Sequence, residues 1–236
     1  MITDVDIPAG DQRSWRGRLA LPDGAGPHPA VLVLHDVLGF TEDLDRIALR
    51  FAEQGYVALA PDMLAGGSGP ICIVKTIRSL AGRSGPAFDV LEDAQAWLAA
   101  RDDVEAGRTG VVGFCMGGGF ALAHAVRADV SFVAAFYGEV AKDQSDLDGM
   151  APCFAGYGKR DLLFIRDGRR LQNHLQSLDV SHDVRVYDGV GHSYMNQLTG
   201  FLGAAARFTP MRARYDETAA EDSWTAMLDF FAANMP

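Results

Sequence analysis

The chain has 236 residues, of which 48% are hydrophobic, and its formal net charge at pH 7 is −10. This hydrophobic content is enough for one sizeable core, so we expect residues 1–236 to form a single domain. The negative charge argues against a nucleic-acid partner and against an anionic membrane surface, because binding to either needs clustered Lys and Arg side chains. No secretory signal pattern is evident, and no apolar run is long enough to cross a bilayer.

The three cysteines, Cys72, Cys115 and Cys153, lie far apart and form no CxxC pair. An odd number of scattered cysteines fits free thiols in a reducing compartment better than a disulfide framework or a zinc site. We therefore expect a cytoplasmic location. We also expect no metal and no cofactor, because the sequence has no HExxH motif, no Cys/His pair at ligand spacing and no convincing phosphate-binding loop.

Short apolar runs alternate with amphipathic stretches along the chain. Residues 14–21 alternate like an edge strand, and residues 30–35 form a continuous apolar run typical of a strand that is buried on both faces. Residues 43–54 carry apolar side chains at helical spacing, and residues 56–60 predict the next strand. The first half of the chain therefore indicates a repeating strand–helix unit.

The same unit continues to the C-terminus. The later predicted strands are residues 109–114, 132–136, 153–157 and 184–187, and the later predicted helices are residues 87–101, 116–127, 166–178 and 223–233. This alternation predicts an α/β fold with a mostly parallel central sheet and helices on both faces. Residues 63–86 and 200–216 fit neither pattern. They are either ordinary surface loops or the walls of a pocket at the carboxyl ends of the strands, where such sheets bind ligands.

Residues 113–118 read Gly-Phe-Cys-Met-Gly-Gly and stand between a predicted strand and a predicted helix. This is the G-x-S-x-G pattern of a nucleophile elbow with Cys in place of Ser. Small residues on either side permit a sharp turn, and the start of a helix favours a thiolate at Cys115. The alternative is an ordinary buried thiol, because free cysteines are among the most buried residues.

Two later loops supply the partners that a cysteine nucleophile needs. Asp161 follows the strand at 153–157, and His192 follows the strand at 184–187. For Asp161 alone, a solvated loop residue is the better interpretation. The order nucleophile, acid, base is nevertheless the one that the α/β-hydrolase fold requires, and each of the three follows a strand. We predict a Cys115–His192–Asp161 triad.

An oxyanion hole is predicted from the same fold logic. One backbone N–H comes from the residue after the nucleophile, Met116, and the second comes from the loop after the first central strand, which nominates Val37. His35 ends that strand, and we interpret it as structural support.

These segments resemble the dienelactone hydrolase family of α/β-hydrolases from about residue 18 to His192 and in the closing helix. The resemblance rests on His-Asp-Val-Leu-Gly at 35–39, Ala-Pro-Asp at 60–62, the cysteine elbow, the Asp161 loop and Gly-His-Ser at 191–193. It implies a cofactor-free carboxylesterase in which Cys115 attacks, His192 is the base and Asp161 orients it. In the family an acidic residue, usually Glu, at the position of Asp36 helps to activate the cysteine, so Asp36 is a candidate modulator of the nucleophile.

The chain departs from the family at the contact with a substrate carboxylate. The family uses arginines there, one of them a turn beyond the catalytic His, where this chain has Asn196. Either the arginines of the two unassigned stretches replace that contact or they are solvated, as surface arginines usually are. The candidates for substrate contacts are Arg78, Arg83, Asn196 and Arg212, with Arg207 and Arg214 nearby in the sequence.

The function predicted from these residues is hydrolysis of small activated esters or lactones, such as dienelactone-like enol esters, through a thioester intermediate. A thiolate leaves a tetrahedral intermediate more readily than an alkoxide does, so only substrates with good leaving groups should proceed. We expect a monomer or a small homo-oligomer with no nucleic-acid or membrane partner. The competing hypothesis is a non-catalytic small-molecule binder or sensor on a hydrolase scaffold.

Overall fold

The computed structural model describes residues 1–10, 13–65, 67, 69–199 and 205–235. The strands in these residues are β1 (Ile2–Ala9), β2 (Arg13–Ala20), β3 (His28–Leu34), β4 (Val57–Pro61), β5 (Val104–Phe114), β6 (Val133–Phe136), β7 (Cys153–Gly158) and β8 (His182–Tyr187). They form one sheet in the order β1-β2-β4-β3-β5-β6-β7-β8. The strands from β3 to β8 are parallel, and β1 and β2 form an antiparallel hairpin that pairs with β4.

Helices cover both faces of the sheet. They are α1 (Glu42–Glu53), α2 (Pro70–Gly82), α3 (Pro86–Ala99), α4 (Met116–Ala125), α5 (Ile165–Ser177) and α6 (Glu217–Asn234). Every residue of β4, β6 and β7 is buried. Since successive side chains of a strand point to opposite faces, burial of whole strands requires cover on both sides. None of the helices in the described ranges has the length and apolar character needed to span a membrane.

Local sequence explains how the predicted elements form. The side chain of Thr41 accepts a hydrogen bond from the Leu44 N–H at 3.2 Å and so caps α1, whose buried face carries Leu44, Ile47 and Phe51. The predicted strands and the other predicted helices are all present, with shifted ends. Helix α6 begins well before residue 223, because Asp216 caps it by accepting the Ala219 N–H at 3.1 Å.

One sequence prediction is wrong, and two elements were not predicted. Residues 14–21 were expected at an edge, but β2 lies inside the sheet between β1 and β4. The edge strand is β1. It was not predicted, because only one of its residues, Ile7, is fully buried. Helix α2 was not predicted either, because several of its apolar side chains face solvent: Ile71 is 72% exposed and Val74 is 46% exposed.

The second unassigned stretch is described only in part. Residues 200–204 lie outside the described residues, as do residues 66 and 68 of the first stretch. Residues 207–216 form turns and extended chain that run beside the end of β8. What matters for function is the edge formed by the carboxyl ends of the parallel strands, where loops after β3, β5, β6, β7 and β8 meet.

Candidate active site

Cys115 is the single residue between β5 and α4, and its backbone conformation is strained. Its φ is +54° and its ψ is −115°, a region that residues with a side chain rarely adopt. The N–H of Cys115 donates to the Phe136 carbonyl at 3.0 Å, and its own carbonyl accepts the Gly118 N–H at 3.0 Å. The turn is thereby tied both to β6 and to the first turn of α4. The Cys115 side chain stays partly exposed at the head of the helix.

Two glycines make this turn possible. A Cβ atom on Gly113 would overlap the carbonyl of Gly117, and a Cβ atom on Gly117 would overlap the carbonyls of Leu34 and His35. The start of α4 therefore packs directly against the backbone at the end of β3. This close approach brings the loop after β3 next to the start of α4, where the Met116 N–H has no acceptor within the helix.

The Asp161 carboxylate and the His192 imidazole form a buried hydrogen-bonded pair. The Nδ1 of His192 and the Oδ2 of Asp161 are 2.5 Å apart, and the two side chains are 2% and 0% exposed. The other carboxylate oxygen of Asp161 accepts the N–H groups of Leu163 and Phe164, at 3.1 and 3.2 Å. This arrangement fixes the imidazole ring with its proton on Nδ1 toward Asp161 and leaves Nε2 for a second partner.

The protonated form of His192 is favoured. Burial opposes the charge, but the hydrogen bond to Asp161 and then the interaction with Cys115 outweigh it and raise the pKa of His192 to about 9. The Nε2 atom is buried and makes no hydrogen bond of standard geometry with any described residue. The Cys115 sulfur therefore lies close enough to His192 to favour its charge, but outside standard hydrogen-bond geometry.

Two aromatic rings hold the imidazole of His192. The ring centroids of Tyr137 and Phe164 lie 4.7 and 5.0 Å from that of His192. Tyr137 directly follows β6, so it stands between the strand that carries Cys115 and the strand that leads to Asp161. It is fully buried, and its ring limits the directions in which the imidazole can turn.

A chain of buried polar contacts fixes Tyr137 in turn. The Tyr137 hydroxyl donates to Oδ1 of Asn196, and Nδ2 of Asn196 donates to Asp43 at 2.8 Å. Asp43 also accepts from Nε of Arg46 at 2.8 Å, and Arg46 donates to the Met195 carbonyl at 3.0 Å. The network links the start of α1 to the loop of His192.

The turn after β3 is held by His35 and Asp36. Nδ1 of His35 lies 2.6 Å from the Asp36 carbonyl, and Nε2 accepts the Met63 N–H at 3.0 Å. These partners define a neutral imidazole, and burial lowers the pKa of His35 in agreement. Oδ1 of Asp36 accepts the Leu38 N–H at 2.8 Å, whereas the Val37 N–H donates to no acceptor in the described part of the chain.

Comparison with known proteins agrees with this geometry. The model of the dienelactone hydrolase family matches residues 15–235. The chain belongs to the dienelactone hydrolase family.

Individual relatives support the same assignment. A protein of Salmonella typhimurium, provisionally assigned as a carboxymethylenebutenolidase, is 26% identical over 98% of this chain and 86% of its own length. The crystal structure of a dienelactone hydrolase-like promiscuous phosphotriesterase from metagenomic libraries has a TM-score of 0.83 at 23% identity, covering 100% of this chain and 99% of that one. The Pyrobaculum calidifontis esterase has a TM-score of 0.72 at 17% identity, covering 100% and 87%. The predicted α/β-hydrolase fold and hydrolase class are confirmed.

In this member of the dienelactone hydrolase family, some of the predicted site residues lie together and others lie apart. Cys115, His192 and Asp161 meet; Met116 directly follows Cys115, and Val37 lies in the loop after β3, the strand next to β5. Burial raises the pKa of the Asp36 carboxyl, and the charge of His192 opposes that rise, so Asp36 lies within electrostatic range of His192. Its hydrogen bond, however, serves its own turn.

The predicted substrate contacts are dispersed. Asn196 is buried, and both ends of its amide are engaged by Tyr137 and Asp43. Arg83 ends α2 and pairs with Asp146 at 3.0 Å, while Arg78 is exposed on α2. Arg212 lines a cavity that none of the three triad residues lines.

Sequence reasoning missed four residues: Tyr137 and Phe164, whose rings lie against His192, and Asp43 and Arg46, which belong to the network behind it. One signal was available for Tyr137, because an aromatic residue directly after a predicted strand lies at the carboxyl edge of the sheet. No local signal marks Asp43 and Arg46, which read as ordinary polar positions of an amphipathic helix.

The packing at the elbow predicts the effect of Gly117→Ala. The added methyl group would meet two main-chain carbonyls that cannot move without shifting β3, so we expect a loss of at least about 2 kcal/mol in the free energy of unfolding. Urea denaturation measures this loss. Gly10→Ala is the matched control, since no heavy atom lies within 4 Å of its added methyl group. Equal stability of the two variants would contradict the packing described for the elbow.

The charge balance at His192 predicts its titration. Followed by NMR, the imidazole should titrate near pH 9, with the stabilisation it gives complete below pH 6.5 and lost as the pH rises from 6.5 through 9. Asp161→Asn and Cys115→Ala should each lower this pKa, because each removes a partner that favours the charged imidazole. His124 is an internal reference, since burial lowers its pKa to about 4. A His192 midpoint near 6.5 in the wild type would refute the prediction.

The network behind His192 predicts the effect of Tyr137→Phe. The variant keeps the ring but leaves the buried Asn196 carbonyl without its donor, so unfolding should become easier by about 1–3 kcal/mol and the His192 resonances should shift. Tyr157→Phe is the matched control, because Tyr157 is equally buried and donates to the Gly138 carbonyl at 3.1 Å without touching His192. It should lose stability alone. If both variants move the His192 resonances equally, Tyr137 has no special part in positioning the imidazole.

Proposed function

We propose that the chain hydrolyses small activated esters or lactones with a Cys115–His192–Asp161 triad and a thioester intermediate. The observation that carries this proposal is the buried His192–Asp161 pair placed beside a cysteine on a strained elbow. A binding protein has no need of a histidine held by a carboxylate and two aromatic rings. The family membership supports the reaction class, and the geometry supports the roles of the residues.

We infer that the site reacts as a Cys115 thiolate paired with a His192 imidazolium. With a pKa of about 9, His192 carries a proton on both ring nitrogens at neutral pH. In this reactive state the Cys115 sulfur lies at the N-terminus of α4, where the helix dipole favours negative charge. Asp161 accepts the hydrogen bond from Nδ1 and orients the imidazolium.

Acylation begins when the Cys115 sulfur attacks the carbonyl carbon of the ester. A C–S bond forms, and the electron pair of the carbonyl moves to oxygen, where the N–H groups of Val37 and Met116 donate to it. The Val37 N–H donates to no acceptor in the described part of the chain, and the Met116 N–H has no acceptor within α4. The tetrahedral intermediate collapses, the C–O bond to the leaving group breaks, and Nε2 of His192 gives its proton to the departing oxygen.

Deacylation uses the same groups, with the direction of proton transfer at His192 reversed. Nε2 of His192, now neutral, takes a proton from a water molecule as that water attacks the thioester carbon. The second tetrahedral intermediate loses the Cys115 thiolate, the carboxylic acid leaves, and the thiolate–imidazolium pair is restored. No external oxidant, reductant or metal enters the balance.

The leaving group decides which substrates turn over. A thiolate is a better leaving group than an alkoxide, so intermediates formed from simple alkyl esters mostly revert, whereas enol esters and lactones proceed. The name of the Salmonella relative and the family name both point to unsaturated lactones. Because Asn196 is engaged by protein partners and Arg83 is paired with Asp146, we infer that neither selects a substrate carboxylate.

The experiment compares wild type, Cys115→Ala and Cys115→Ser on a panel of enol lactones, aryl esters and simple alkyl esters. We expect wild-type turnover of the first two classes and a loss of kcat of at least about 10³-fold in Cys115→Ala, because the nucleophile is gone. Cys72→Ala is the control, since Cys72 lies in α2 and has no part in the triad. A thiol-blocking reagent should inactivate both wild type and Cys72→Ala.

Full activity in Cys115→Ala would exclude the cysteine mechanism. If the wild type turns over no member of the panel but a panel compound raises its Tm, the non-catalytic binder is the better hypothesis.

A further inference from the structure

A cavity of about 640 Å³ opens at the carboxyl ends of β7 and β8, and Cys115, His192 and Asp161 do not line it. Strands β7 and β8 lie two and three strands away from β5. At a spacing of about 4.8 Å per strand, the cavity is displaced from the elbow by about 10–14 Å along the sheet. It is therefore a different site from the one that holds the proposed triad.

The cavity gathers positive charge in an acidic protein. Five of its lining side chains are cationic, namely Lys159, Arg160, Arg207, Arg212 and Arg214, although the net charge of the chain is −10. Lys159 pairs with Asp188 at 2.7 Å. The four arginines form no ion pair with any described residue, whereas many arginines elsewhere in the described chain do.

Nothing in the lining neutralises these arginines. The one acidic side chain in the lining, Asp216, is used to cap α6 through the Ala219 N–H. Like charges that line one cavity repel each other unless a counter-ion binds among them. The guanidinium group binds phosphate and carboxylate oxygens in pairs, and it is favoured wherever such groups are recognised.

The cavity also offers apolar surface. Phe208 is 72% exposed and Leu162 is 66% exposed, and both line it. A carbon skeleton lying against these two side chains would place its anionic groups among the arginines. We propose that this cavity binds a small organic molecule that carries at least two anionic groups, phosphoryl or carboxyl.

Residues 211–214, which include Arg212 and Arg214, are joined to the loop of His192 by main-chain hydrogen bonds. The His192 N–H donates to the Met211 carbonyl at 2.8 Å, and the Arg214 N–H donates to the His192 carbonyl at 3.0 Å. Arg160 contributes a further bond, from its N–H to the Val190 carbonyl at 2.7 Å. A ligand held by Arg212 and Arg214 therefore contacts the segment that fixes the backbone of His192, and its binding shifts the NMR signals of that residue.

The test is isothermal titration of the purified chain with pyrophosphate and, separately, with citrate, each at constant ionic strength. The double variant Arg212→Gln/Arg214→Gln is compared with the charge-matched control Arg166→Gln/Arg169→Gln, which removes two exposed arginines of α5. We expect saturable binding by the wild type and by the control, and binding at least about tenfold weaker in the first variant. Saturation by pyrophosphate alone identifies a phosphoryl ligand, and saturation by citrate alone identifies a polycarboxylate.

Binding is measured without any ester, so its result is independent of the proposed hydrolase activity. The variants replace exposed side chains, and an unchanged Tm verifies that each one is folded; Arg207→Gln serves as a single replacement if the double variant does not fold. Absence of saturable binding of both anions to the wild type would overturn the proposal. An equal loss in the control variant would do so as well, because the binding would then follow net charge alone.

Discussion

The contact between two main chains at the elbow is the constraint on which the site depends. Gly117 packs against the carbonyls of Leu34 and His35 so closely that no side chain fits between them. This contact fixes the start of α4 relative to the end of β3, and Cys115 has to bridge from β5 to α4 in a strained conformation. The strain is held by the cooperative fold of the parallel sheet and is not relieved locally. As a result the thiol stands clear of its own strand, and the loop after β3 is brought beside it.

The second constraint is the cost of burying a charge. Asp161 is fully buried and His192 nearly so, and a buried ion is tolerated only when it is paired and its remaining hydrogen-bonding capacity is used. Asp161 meets this condition with two backbone donors and the imidazole. His192 meets half of it, because Nε2 faces the site without a standard hydrogen bond. Nε2 is therefore available for a further partner, and the rings of Tyr137 and Phe164 keep the imidazole in place.

Charge is distributed unevenly over the carboxyl edge of the sheet. Near the elbow, Asp161 is bonded to the His192 imidazole, Asp36 lies within electrostatic range of it, and Asp43 is linked to Tyr137 through Asn196 and paired with Arg46. At the far end, beside β8, the cavity is lined by four arginines that form no ion pair with any described residue. The two regions share the loop of His192, whose main chain bonds to the arginine-bearing segment and whose side chain faces the elbow. One loop thus connects an acidic site with a basic cavity.

The sequence by itself determined the strand–helix alternation, the elbow and the order of Cys115, Asp161 and His192. These follow from patterns within a few residues, and in a parallel sheet every loop after a strand comes to the same edge, so order along the chain predicts proximity. The tertiary structure alone decided the rest. Tyr137 and Asn196 are 59 residues apart, and Asn196 and Asp43 are 153 apart, so no local pattern joins them. The position of β1 at the edge, the exposure of α2 and the destination of Arg212 likewise depend on packing between distant segments, which a linear pattern does not contain.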